Sequence, residues 1–289
     1  KHYLTLSETF GDGVETIVQD YDNQDINVPL VEPENLKETN KVEDLKIPKT
    51  TYSKEYLVSL LGLPSKIRNV SIVGGLNSGK TSLLDLLITE THQLRHVSRH
   101  KKPRYTDNSK LEIERGATLK SSVMTLLLEN LSGNSIACNI IDTPGHSNFL
   151  DEVAVAQRAT DISSVVVDLV EGLTLETKKV IDNALLNNLQ IVLILNKIDR
   201  LVLELKLPVQ DSFYKIRNVI DEFNTYIRDS RFFGKYQYKD VVYSPVFNNV
   251  LFASSQLEFA FNLRSFAKLY LERSGVRNGD INGFAKRLW

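Results

Sequence analysis

The 289 residues hold one cysteine, one methionine and one tryptophan, and their formal net charge is only −1. A single thiol, Cys138, excludes a disulfide within the chain and points to a reducing compartment. It lies inside the apolar run SIACNII and reads as a small core residue. No apolar run approaches the ~20 residues that span a bilayer, and no signal peptide opens the chain, so no membrane partner is expected. Total charge announces no nucleic-acid partner either. The sole methionine is Met124, so Lys1 is not read as a natural start and the chain is expected to be a piece of something larger. What is plentiful is apolar surface: 42% of residues are hydrophobic, enough for a full core in one large or two small domains.

From Lys1 to about Pro48 hydrophobic periodicity is poor. Residues 1–50 carry eleven Asp and Glu against five Lys, a net charge of −6. Such a stretch buries little surface on its own. It reads as a solvated tail or as an arm ordered along a partner, with Tyr3, Leu4, Phe10, Ile17 and Val18 as anchors. A short amphipathic helix is expected between Tyr52 and Leu63, ended by Gly62 and Pro64. The basic run LRHVSRHKKPR, Leu94 to Arg104, is a long loop that could meet RNA phosphates or an acidic protein surface, or stay solvated. It has no interleaved aromatics for base stacking.

Beyond Ile67 the pattern changes to short, uniformly apolar strands alternating with amphipathic helices. Strands are expected at SVMTLLLE and SIACNIID, split by the turn Ser132 to Asn134, then at SSVVVDL, IVLILNKID and VLFASSQ. Helices are expected after the glycine-rich loop through Ile88, from Asn148 to Ala159, Leu175 to Asn188, Val209 to Asp229 and Asn262 to Arg273, with a short one at GFAKRLW. This alternation predicts an α/β fold with a mostly parallel sheet covered on both faces. A ligand then belongs at the carboxyl ends of the strands.

Every motif in the chain falls at such an end. IRNVSIVGGLNSGKTSLLDLL places Gly74, Gly79, Lys80 and Thr81 in the spacing G-x-x-x-x-G-K-T, the phosphate-binding loop of P-loop nucleotide hydrolases. The glycines let the backbone turn tightly, so that N–H groups from Asn77 to Thr81 converge on phosphate oxygens. The helix starting near Lys80 points its positive end at the same anion, and the Lys80 ammonium reaches the β- and γ-phosphates. Gly74, Gly75, Leu76, Asn77, Ser78, Gly79, Lys80, Thr81 and Ser82 are the expected phosphate contacts, with the Thr81 hydroxyl on Mg²⁺. Next, D-T-P-G-H supplies Asp142, Thr143, Pro144, Gly145 and His146. Asp142 would hold Mg²⁺ through a water, the side-chain-free Gly145 would turn its N–H to the γ-phosphate, and His146 would orient the attacking water. Lys80, Gly145 and His146 are the expected catalytic set.

N-K-x-D follows as Asn196, Lys197, Ile198 and Asp199. The Asp199 carboxylate can accept two hydrogen bonds from guanine N1–H and its amine, a pairing adenine cannot offer. The Lys197 stem can cover the base, and Asn196 can tie the base loop to the phosphate loop. Ser254 and Ser255, in FASSQ, fit a loop whose N–H reads guanine O6. Thr118, in ERGATLK, would join Thr81 on the metal only with a γ-phosphate present, which makes Arg99 to Thr118 an ordering switch.

G-x-x-x-x-G-K-T, R-G-x-T, D-T-P-G-H and N-K-x-D in this order resemble the translational GTPases, and the P-G-H form narrows the match to that branch. NKIDRLVLELKLP, YTD…ERGATLKS and GFAKRLW resemble the elongation factor 2 subfamily. With FASSQ, RSFAKLY and the acidic leader ETIVQDYDNQDINVPLVEP, the resemblance is closest to the elongation-factor-2-like GTPases of the spliceosomal U5 small nuclear ribonucleoprotein. It implies an acidic arm with a short helix over 1–66, a GTP-binding G domain over 67–289, and further domains beyond Trp289. It also implies GTP or GDP with Mg²⁺, a nuclear role in pre-mRNA splicing, and contact with the large U5 scaffold protein and U5 snRNA. A functional link to the helicase that unwinds U4/U6 RNA follows, with no obligate homo-oligomer.

The chain departs from the subfamily at its phosphate loop, where G-H-V-D-H-G-K is usual and Gly74 to Lys80 reads GGLNSGK. Asn77 lacks the carboxylate of an auxiliary cation site. The hydrophobic gate over the histidine would be Leu76 and Ala117, the latter smaller than the usual isoleucine, so hydrolysis is expected to be slow or partner-dependent. Two rivals stay open: a GTP-bound scaffold that never turns over, and a ribosomal translocation factor, against which the acidic leader counts.

Overall fold

A computed structural model describes residues 4–11, 50–92, 104–107, 109–130, 132–230, 241–275 and 280–289. The chain divides into two units, Lys1–Lys41 and Val42–Trp289. In the first, the described part holds one short helix, α1 (Leu6–Phe10), with a capping box between Thr5 and Glu8 and exposed Leu4 and Phe10. Tyr3, Ile17, Val18, the rest of the acidic leader and the basic run up to residue 103 lie outside the described residues.

The second unit is built on one seven-stranded sheet, in the order β2-β3-β1-β4-β5-β6-β7. Its strands are β1 (Ile67–Gly74), β2 (Ser122–Glu129), β3 (Ser135–Asp142), β4 (Ile162–Asp168), β5 (Gln190–Asn196), β6 (Val250–Ser254) and β7 (Phe259–Phe261). The five central strands run parallel, and β2 and β7 close the edges antiparallel to β3 and β6. Successive residues of a strand face opposite sides. Val73, Val165, Val167, Leu193 and Leu195 therefore enter one core, and Ile72, Val166 and Ile194 the other.

The smaller core is roofed by α3 (Lys80–Thr91) through Leu83, Leu84 and Ile88. The larger is covered by α5 (Leu150–Arg158), α6 (Leu175–Leu186), α8 (Val209–Asp229), α9 (Leu263–Arg273) and α10 (Ile281–Arg287). In α8 the buried Val219, Ile220, Phe223 and Ile227 recur at helical spacing, and Phe223 meets Tyr243 edge-on at 4.9 Å. Three short helices complete the unit: α2 (Lys54–Leu61), α4 (Lys110–Arg115) and α7 (Asp199–Leu203). Helix α4 carries a capping box between Ser109 and Glu112 and ends on Gly116 in the left-handed region.

The expected α/β architecture is present, with local differences: β5 ends at Asn196 and the helix α7 opens at Asp199, within the stretch expected as strand, and α4 stands where no helix was expected. The last strand does not lead straight into a helix: Glu258, at φ 60°, helps reverse the chain and β7 folds back on β6. The helix expected from Asn148 begins as a 3₁₀ turn, Ser147–Phe149, capped by His146, and becomes α-helical at Leu150. Among the described residues no helix is long and apolar enough to cross a membrane.

Candidate functional site

Strand β1 ends at Gly74, where a Cβ would collide with the Val166 carbonyl oxygen of the neighbouring strand. The chain then winds through Asn77 and Gly79, both at positive φ (57° and 91°), so that consecutive N–H groups line a concave loop closed by the start of α3. Lys80 folds back over this loop and donates to the carbonyls of Gly74 (3.2 Å) and Gly75 (2.8 Å). The ammonium is buried, and burial pushes it down to about 8 against the upward pull of Asp142 and Glu176. The Glu176 carboxylate, in the first turn of α6, accepts the Leu76 N–H at 3.2 Å. A side chain at Gly75 would set its Cβ 3.0 Å from the Thr174 hydroxyl, so the loop packs directly on the start of α6.

The D-T-P-G-H segment leaves β3 beside this loop. Thr143 donates to the Ile72 carbonyl at 2.8 Å, and Pro144 is buried. A Cβ on Gly145 would collide with Lys80 Nζ and lie 2.7 Å from the Gly75 oxygen, so only glycine lets the segment lie this close. His146 is exposed; its Nδ1 accepts the Asn148 N–H at 3.1 Å and its ring meets Phe149 edge-on. Ser82 is exposed on α3, Leu76 is 37% exposed and Ala117 half-buried.

Asp142, Thr81, Thr118 and Asp107 meet in a chain of hydroxyls and carboxylates. Thr81 Oγ1 donates to Asp142 Oδ2 at 2.7 Å, Thr118 Oγ1 donates to Asp107 Oδ1 at 2.9 Å, and the two hydroxyls stand 2.9 Å apart. Each hydroxyl has one proton, so with both given to carboxylates the two threonines face each other lone pair to lone pair. A cation relieves that arrangement. The other Asp142 oxygen, Oδ1, is buried without a partner. Burial pushes the Asp142 carboxyl up to about 6, against the Thr81 hydrogen bond and the Lys80 charge, which favour ionisation. The unpaired oxygen and facing lone pairs fit a divalent ion held by two hydroxyls, with the carboxylate one water away. Among the described residues no cluster of three or more His, Cys, Asp or Glu could hold a metal on its own.

At the end of β5, Asn196 Nδ2 donates to the Ser78 carbonyl at 2.8 Å and reaches the Ser255 hydroxyl at 3.2 Å, linking three loops. Asp199 opens α7, nearly buried, with Oδ1 accepting the Ser254 hydroxyl at 2.5 Å. The Ile198 N–H points to the Ala253 carbonyl at 3.5 Å. Lys197 stands at φ 62° with its ammonium 2.9 Å from Asp168. Asn196, Lys197, Asp199, Ser254 and Ser255 thus gather at one end of the sheet beside the phosphate loop.

Several residues of this site are given no role by the sequence reading. Asp107 and Thr106 sit in YTD and turn toward Thr118 and Asp142. Asp85 on α3 accepts the Tyr105 N–H at 3.0 Å. Glu176 and Asp168 brace the phosphate and base loops. Asp168 ends an apolar strand, the same signal that marks Asp142; Asp85, Asp107 and Glu176 offer no comparable cue.

Residues 65–272 match the elongation factor Tu GTP binding domain family. The chain belongs to that family. Its curated relatives include the pre-mRNA-splicing factor cwf10 of Schizosaccharomyces pombe, 40% identical over 100% of this chain and 29% of that protein. The pre-mRNA-splicing factor SNU114 of Saccharomyces cerevisiae is 37% identical over 99% of this chain and 28% of its own length. The 110 kDa U5 small nuclear ribonucleoprotein component CLO of Arabidopsis thaliana is 38% identical over 100% and 29%. The chain therefore spans under a third of the length of these relatives.

Proposed function

We propose that this chain is the acidic arm (1–66) and GTP-binding domain (67–289) of a nuclear splicing GTPase of the U5 small nuclear ribonucleoprotein. The supporting observation is the convergence of Lys80, Thr81, Asp142, Asn196 and Asp199 on one end of the sheet, in a chain whose relatives are splicing and U5 components. In this reading the loop amides and Lys80 bind phosphates, and Asp199 reads the guanine edge with Lys197 against the base face. A backbone N–H of the loop holding Ser254 and Ser255 serves guanine O6. Thr81 and Thr118 would hold Mg²⁺, with Asp142 acting through water. When bound, the ion would neutralise phosphate charge. Thr118 would couple its loop to that ion, so the loop would be freer once the γ-phosphate is gone.

His146 would orient the attacking water. With Nδ1 accepting the Asn148 N–H, the neutral ring carries its proton on Nε2 and donates to water instead of accepting from it. That cap also favours a second reading, a GTP-bound scaffold that does not turn over. The partners proposed are the large U5 scaffold protein, U5 snRNA and, functionally, the U4/U6-unwinding helicase.

Nucleotide selectivity tests the site. The wild-type chain is expected to bind GTP and GDP over ATP, and Asp199→Asn to move preference to xanthine nucleotides by a factor of about 10³ or more, because a mismatched polar edge leaves buried groups unpaired. Equal ATP binding, or unchanged selectivity in the variant, refutes the assignment. Single-turnover hydrolysis in the assembled particle then separates switch from scaffold: His146→Ala abolishes turnover in the first and changes nothing in the second.

A further inference from the structure

Asp168 closes β4 in register with Asn196, the residue that closes β5. Its side chain is 2% exposed, and it has three partners. Oδ1 accepts the Val170 N–H at 2.8 Å, while Oδ2 receives Lys197 Nζ and Arg200 Nη1, each at 2.9 Å. Those two cations flank Asp199 in the chain, one two residues before it and one immediately after. Arg200 also ties Glu204 through Nε at 2.7 Å. Lys197 itself holds a left-handed φ of 62°, a conformation unfavourable for a non-glycine residue that persists where surroundings enforce it.

We propose that Asp168 is the positioning residue of the base pocket: a buried carboxylate that acts through Lys197, fixing its side chain as the pocket wall. This rests on the guanine-nucleotide reading above and extends it to a residue outside the N-K-x-D motif. The geometry separates two tasks. Asn196 tethers the base loop to the phosphate loop by neutral hydrogen bonds, and Asp168 aims its two charged side chains by ion pairing on the neighbouring strand. Lysine is a flexible point charge on a four-carbon stem, so without a fixed counter-ion its stem would sample many rotamers instead of one wall. The consequence is a slow nucleotide off-rate, for GDP and GTP alike, because the wall meets the base and not the phosphates.

The test uses the full chain with N-methylanthraniloyl-GDP and -GTP as probes, following association and dissociation by fluorescence. Asp168→Asn keeps the size and the Val170 cap but removes the charge. It is expected to speed release of both nucleotides about tenfold or more, the scale on which supporting partners of a bound group act, with association almost unchanged. In a cycle with Lys197→Met, the double variant should release no faster than Lys197→Met alone. Additive effects, or an off-rate within twofold of wild type, overturn the proposal. A general loss of structure is recognised by its readout, a fall in nucleotide-free melting temperature with the two substitutions additive. Should Asp168→Asn not fold, Asp168→Ser, which still offers an oxygen to Val170, takes its place in the same cycle. A wild-type chain that binds neither probe fails the site reading itself, whereas tight wild-type binding with an indifferent Asp168 variant fails this inference alone.

Discussion

At the base end of the pocket Asn196 is tied to the Ser78 carbonyl and Asp199 to the Ser254 hydroxyl, whereas at the phosphate and metal end the Ser78 hydroxyl and one Asp142 oxygen are buried unpaired and two threonine hydroxyls face each other. The charges follow the same division. Lys80 and Asp142 are both pushed toward their neutral forms by burial, down to about 8 and up to about 6. The base loops are therefore shaped before any ligand arrives, while the phosphate end holds an imbalance that a polyanion and a cation would correct. Specificity is supplied by a rigid part and responsiveness by an unfinished one.

The sharpest way to break this comparison is at Thr81. Thr81→Ala is expected to weaken GTP binding in Mg²⁺ about a hundredfold, the upper range for loss of a supporting metal contact, and to leave binding in EDTA and the preference for guanine over adenine unchanged. A variant that alters base preference would show that the two ends are not separable.

Asn196→Ala attacks the other end. It removes the donor to the buried Ser78 carbonyl, at about 1–3 kcal/mol. Thermal unfolding of the nucleotide-free chain should fall by several degrees, with affinity for GDP and GTP reduced together. Equal stability with selective loss of GTP would instead assign Asn196 to the phosphate end.

The smallest effect expected concerns Asp85, pushed up to about 7 by burial, with the Asp142 and Asp107 charges adding and the Tyr105 N–H and Arg104 opposing. The folded chain holds this proton more tightly than the unfolded chain, whose carboxyl titrates near 4. Its contribution to stability is thus favourable at low pH and falls as pH rises from about 4 to about 7. Asp85→Asn removes that slope, so the nucleotide-free variant should gain more melting temperature over wild type at pH 8 than at pH 5. A gain that is the same at both pH values would mean that Asp85 is ionised throughout.

Much of this was legible in the residues because strand ends are where function concentrates in a parallel sheet. Apolar runs ending in GGLNSGK, DTPGH and NKID announce both the strand and the loop that follows. The bounds of α8 coincide with the expected Val209 to Asp229, since its apolar stripe keeps helical spacing over its full length. The hairpin β6–β7 escaped because FAF is three residues long and its reversal depends on a left-handed glutamate, Glu258, which no turn signature marks. Asp85, Asp107 and Glu176 escaped for another reason. Each acts across a long stretch of chain, on Tyr105, Thr118 or Leu76, and a lone carboxylate on a helix or loop looks the same whether it faces water or a buried amide.

The antiparallel ribbon of β2 and β3 pairs Ser122 with Asp142 and Glu129 with Ser135 without a bulge. Sliding one strand along the other by a single residue would turn Leu126 and Ile140 out of the core, so the ribbon behaves as a stiff rod. Thr118 is joined to the end of that rod by Leu119, Lys120 and Ser121 alone. The N–H groups of those three residues are held, Leu119 and Lys120 by the Glu112 carboxylate and Ser121 by Glu152, so any swing of Thr118 past the end of the ribbon must first break these hydrogen bonds.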